Sequence, residues 1–73
     1  MVNHEIDHVV WYDRRGCMVL SYGDGESVRI VATKRIAAKL ARDVGLVLVP
    51  TAPGAVLWVR DPVAWRALAP LAG

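Results

Sequence analysis

The most recognisable chemical spacing lies at the start of the chain, where His4-Glu5-Ile6-Asp7-His8 spells H-E-x-x-H. On a helix this spacing sets two imidazoles one turn apart on a zinc ion while the glutamate activates the metal-bound water. The surrounding residues argue against that geometry. The string runs straight into Val9-Val10-Trp11-Tyr12, a strand-forming sequence; Asp7 adds a charge between the histidines; and no later histidine exists to be a third ligand. Asp24 or Glu26 would have to complete the set, yet a chain of 73 residues has no room for the two-lobed cleft in which such enzymes hold a peptide. The expectation is a solvated N-terminal segment with no metal site, no catalytic residue and no cofactor.

Other constellations fare no better. Gly23-Asp24-Gly25 lacks the following helix and lysine of a phosphate-binding loop, and it reads as a hairpin tip. No Ser-His-Asp arrangement has a recognisable elbow. Cys17, the single cysteine, sits beside Met18 and Val19, where a small buried hydrophobe is the usual role, and no neighbour would lower its pKa.

The elements that must position these residues are short. His8 to Asp13 and Cys17 to Tyr22 read as two strands joined by the turn Asp13-Arg14-Arg15-Gly16, and Asp24-Gly25 signals a two-residue type I′ hairpin into a third strand, Glu26 to Ala32. Alternation in that strand puts Val28 and Ile30 on one face and Ser27 and Arg29 on the other. Residues 33 to 45 are the one long segment of helical period. Ile36, Ala37, Leu40, Ala41 and Val44 recur at helical spacing, Thr33 can cap the start and Gly45 the end. Leu46 to Val49 is continuously apolar, which suits a central strand better than an edge. Pro50 to Gly54 breaks the run, and Ala55 to Arg60 returns as its partner. Asp61-Pro62 opens a second helix, with Pro70 as its stop.

The expected fold is therefore α+β: a five-stranded, mainly antiparallel sheet in the order βββαββα, one main helix packed on it and a short C-terminal helix. The whole chain, residues 1–73, makes a single small domain, with residues 1–7 flexible. No repeat, linker or low-complexity tract interrupts it.

The first helix and its glycine, Ile36 to Leu46, resemble the first helix and turn of helix-turn-helix proteins. That resemblance implies a recognition helix immediately after Gly45. The sequence there is Leu-Val-Leu-Val-Pro-Thr-Ala-Pro-Gly, with strand propensity followed by two prolines, so the groove-reading element cannot form.

Charge is more informative than catalysis. The net charge is only +2, but residues 1–13 hold three acids and no Lys or Arg, whereas the helix holds four basic residues against Asp43. Arg35, Lys39 and Arg42 fall at i, i+4 and i+7 on one stripe, with Lys34 beside it. This stripe, the acidic segment with Glu5 and Asp7, and Trp11 as an aromatic anchor are the candidate partner-binding residues. Duplex- or single-strand-binding domains are usually more basic and expose stacking aromatics, so nucleic acid ranks behind a protein partner. No run approaches the roughly 20 apolar residues that cross a bilayer, and the first residues lack the basic n-region of a secretory signal, so the cytoplasm is the expected location.

In size and in its Val, Ala and Arg content, the chain resembles the small phage-encoded regulators of bacterial RNA polymerase. The resemblance lies in the character of the whole chain and in no motif. It implies direct contact with core polymerase subunits in the host cytoplasm, and inhibition of initiation, antitermination, or both.

Overall fold

The computed structural model describes residues 4–68, with side chains described as far as Trp65. Residues 1–3 of the segment expected to be flexible, and Pro70, lie outside the described residues. The elements run β1 (Ile6–Tyr12), β2 (Cys17–Tyr22), β3 (Ser27–Val31), α1 (Lys34–Asp43), β4 (Val47–Val49), β5 (Ala55–Val59) and α2 (Pro62–Leu68). They form an α+β fold of the expected βββαββα order. All four ladders of the five-stranded sheet are antiparallel, in the spatial order β3-β2-β1-β5-β4.

The sheet has two differently covered faces. Val9, Met18, Leu20 and Trp58 point to one face and pack with Ala37, Ala41 and Leu46. Ala37 and Ala41 are fully buried, so their small side chains let α1 lie close on the central strands, with Leu40 and Val44 packing beside them. Val10, Val49, Leu57 and Val59 point to the opposite face and pack with Trp65 of α2. Trp11 and Tyr12, consecutive in β1, face opposite ways as strand alternation requires.

The helix ends follow from their cap residues. The Thr33 hydroxyl accepts from the Ile36 N–H at 3.2 Å. At the other end Gly45 takes φ +85°, the Gly45 N–H donates to Arg42 O at 3.0 Å, and the Leu46 N–H donates to Ala41 O at 2.8 Å. These are the two bonds of a Schellman motif, and Leu46 and Ala41 belong to the same apolar cluster. Asp61 caps α2, its Oδ1 accepting from the N–H groups of Val63 and Ala64, each at 3.1 Å.

Three expectations need correction. The Leu46–Val49 run is not a central strand: β4 is only three residues long and lies at the sheet edge, leaving Leu48 62% exposed. Its apolar run divides into a helix-capping residue, Leu46, a buried residue on the α2 face, Val49, and two exposed side chains, Leu48 on the α1 face and Val47 on the opposite one. Nor is the second hairpin a two-residue type I′ turn. The Tyr22 N–H donates to Glu26 O and the Gly25 N–H to Tyr22 O, so the loop has three residues, Gly23 to Gly25, and of its two glycines Gly25 alone has positive φ. Asp24 instead uses its side chain, Oδ1 accepting from the Glu26 N–H at 3.0 Å. Finally, β1 starts at Ile6 rather than His8. Its register with β2 shifts between Ile6 and His8, and this bulge turns Ile6 toward the α1 face beside Tyr22 while His8 faces away beside Ser21.

Candidate functional site

The H-E-x-x-H string lies in and before a strand, and its histidines have separate environments. His4 stacks on Tyr22, ring centroids 4.1 Å apart and 7° from parallel, and its Nδ1 is 2.9 Å from Asp24 Oδ2. His8 lies near Trp65 on the α2 face, with Nδ1 2.9 Å from Asp7 Oδ2. Glu5 pairs with Arg60, Oε1 to Nε 2.9 Å, and the same Nε donates to Ile6 O at 2.8 Å. The Arg60 N–H donates to Asp7 O, and the Gly23 N–H donates to Glu5 O. Glu5 thus fastens the start of β1 to the end of β5 and to the β2–β3 hairpin.

Antiparallel topology sorts the charges by end. The β1–β2 loop, the β4–β5 loop and the start of α1 share one end of the sheet, where the Asp13 N–H donates to Gly54 O and the Ala32 N–H to Gly16 O. Arg14, Arg15, Lys34 and Arg35 gather there with Asp13 as the one acid. The opposite end holds Glu5, Asp7, Asp24, Glu26, Asp43 and Asp61, with Arg60 among them paired to Glu5. Seven strand residues in β1 separate these ends by roughly 20 Å. The protein is a charge dipole whose small net charge hides two opposed poles.

At the basic end an open apolar hollow of about 630 Å³ lies between the sheet and the first turn of α1. Trp11 and Ile36 form its walls, with Val31 at the lip and Lys34 and Arg35 on its rim. Ile36 is 56% exposed and Val31 87%. Trp11 is half-buried, and its indole N–H donates to Ala32 O at 2.9 Å. This bond holds the Trp11 ring in place as one wall of the hollow.

The three-residue stripe does not act as one unit. Arg35 belongs to the basic end, whereas Lys39 is paired with Asp43 at 3.0 Å, and Arg42 lies about two turns of α1 beyond Arg35, toward the acidic pole. Among the described residues, Arg14, Arg15, Lys34, Arg35 and Arg42 make no ion pair. Glu5 and Asp7 stand at the far end from Trp11, so the candidate binding residues divide between two surfaces.

Sequence reasoning missed Arg14, Arg15, Tyr12 and Arg29. Tyr12, Arg15 and Arg29 line a second open hollow of about 510 Å³ on the face opposite α1, floored by Cys17 and Val19, in the half of that face that α2 leaves uncovered. A parity argument could have found Arg14 and Arg15. In three consecutive antiparallel strands, the first turn and the end of the third strand share one end, so the Arg14-Arg15 loop must adjoin Lys34 and Arg35.

One carboxylate has a clearly altered acidity. The hydrogen bond from His4, reinforced by the Glu26 backbone N–H, holds Asp24 below its ordinary value. The described residues contain no cluster of three or more His, Cys, Asp or Glu able to hold a metal ion, and no helix long and apolar enough to cross a membrane. The chain matches no protein-family model, and neither curated proteins nor solved structures give a significant match.

Proposed function

We propose that this protein is a small non-enzymatic binding module that acts by occupying a surface on a larger macromolecule. In line with the resemblance noted above, we take that partner to be core bacterial RNA polymerase, with inhibition of initiation, antitermination, or both as the consequence. The observation that carries the binding reading is the basic end, where an exposed apolar hollow carries Lys34 and Arg35 on its rim, Arg14 and Arg15 stand at the same end of the sheet, and six of the seven acids lie elsewhere. Such a surface fits an acidic protein patch bearing a protruding apolar side chain. Apolar contact supplies affinity, and the cations supply orientation and a faster encounter. A specific complex needs about 800 Å² from each partner, within the means of a domain this size.

The test is binding to purified core polymerase by two charge-reversed variants, each checked for folding by circular dichroism. Arg14→Glu, Arg15→Glu and Arg35→Glu together should weaken binding by about a hundredfold, while Lys39→Glu with Arg42→Glu changes it by less than about threefold. Failure of the native protein to bind, or indifference to the first variant, refutes the proposal.

One observation favours a second reading, nucleic acid. The Tyr12, Arg15 and Arg29 hollow combines an exposed ring with two guanidinium groups on an uncovered sheet face. A salt titration separates the two partners: duplex affinity falls by roughly 0.9 log units per log unit of salt for every phosphate contact. No retardation of random duplex or single strand at low salt eliminates this alternative.

A further inference from the structure

We infer that β3 is a self-association edge, and that a second copy of this chain adds its own β3 antiparallel to it across a two-fold axis, joining two sheets into one of ten strands. This inference does not depend on the partner proposed above.

The two sheet edges are built differently. β4 is three residues long and ends at Pro50, which blunts it. β3 has five residues, no proline, and every residue exposed. Its ladder with β2 includes the bonds from the Tyr22 N–H to Glu26 O and from the Ala32 N–H to Gly16 O. By the alternation of antiparallel pairs, residues 26, 28, 30 and 32 turn their N–H and C=O groups toward β2, and Ser27, Arg29 and Val31 turn theirs outward. On the α1 face of this edge Val28 and Ile30 remain 44% and 41% exposed, because α1 sits over the central strands and does not reach them.

The choice of a second copy rests on charge. Antiparallel pairing of identical edges lays the basic end of one molecule beside the acidic end of the other, and the two-fold repeats that match on both sides. One register satisfies both packing and charge. Centred on Ile30, it sets Ile30 against Ile30 of the second copy, Val28 against Ala32, and Arg29 against Val31, and brings Glu26 level with Lys34. A register centred on Arg29 would oppose two like charges directly. The axis is perpendicular to the sheet, so both α1 helices lie on the same face, with the apolar side chains of the paired edges in the furrow between them.

Sedimentation equilibrium over loading concentrations from about 1 μM to about 1 mM tests the inference, since small polar-edged interfaces associate in this range. The native chain should show a monomer–dimer equilibrium. Val31→Pro removes an outward N–H without touching the β2 ladder, and should weaken the dimer at least about tenfold. Lys34→Glu places an acid in the first turn of α1, which suits the helix, yet it should weaken the dimer by about tenfold through repulsion from Glu26 of the second copy. Glu26→Lys combined with Lys34→Glu should restore it. A native protein that stays monomeric at about 1 mM, a dimer indifferent to Val31→Pro, or a charge swap that fails to restore association overturns the inference.

Discussion

At the residue scale, the polar side chains near the N-terminus serve as fasteners. His4 spans from Tyr22 to Asp24, Glu5 holds Arg60, and Asp24 also accepts from the hairpin backbone. Because the fold lowers the pKa of Asp24, its contribution to stability is present above its unfolded value, near pH 4, and is lost as pH falls through the lower folded value. Replacing it with Asn should therefore lower the melting temperature at pH 7, with the difference from the native protein shrinking below about pH 4. Thermal melts of both proteins between pH 7 and pH 2.5 check this; a difference that does not vary with pH would contradict it. The candidate residues separate along similar lines. Trp11 is held by its own N–H bond and Lys39 by Asp43, so residue type marked them as binding groups before their structural duties were visible.

At the element scale, local sequence signals did well wherever the interaction they describe is itself local. The Thr33 cap, the Gly45 stop and the Asp61-Pro62 start all involve partners within five residues, and all three occur as read. Gly45 illustrates the energetics. At φ +85° an L side chain is strained, so Gly45→Ala should cost about 1 kcal/mol in urea unfolding and fray the last turn of α1. A change below a few tenths would show that the left-handed cap is dispensable. Signals failed where the neighbour was distant. Four consecutive apolar residues at 46–49 read as a buried central strand, but apolarity says only that some cover is sought. Which strand lies beside it, and where α1 sits, depends on pairing between β1 and β5 nearly 50 residues apart. The Asp24-Gly25 turn shows the same limit on a smaller scale, because Gly23 offered a three-residue loop that the dipeptide signal ignored.

At the scale of the whole molecule, one central strand ties both layers together. Val9 is fully buried under α1, while its neighbour Val10 packs on the α2 face. Val9→Ala should therefore destabilise the entire domain by about 2 kcal/mol, through lost burial and the cavity left behind. Tryptophan fluorescence and far-ultraviolet circular dichroism should report a single coincident urea transition for the variant. Separate transitions would mean that the two layers unfold independently. Polarity belongs to this scale too. The +2 net charge is the residue of two opposed poles, and it is the poles that a partner or a second copy would meet.

From the sequence by itself came the α+β class, the order of the elements, their caps, the two faces of β1 and β3, and the argument against a helical zinc motif at His4 and His8. All of these depend on periodicity and on contacts a few residues long, which a linear string records directly. Only the tertiary structure decided that β5 rather than β4 flanks β1, that β3 and β4 are the open edges, and that Lys34 and Arg35 rim a hollow of Trp11 and Ile36 at the same end of the sheet as Arg14 and Arg15. The physical reason is that strand order and surface juxtaposition are set by long-range pairing and by which residues a helix reaches. Those are competitions among distant segments, decided when the sheet closes.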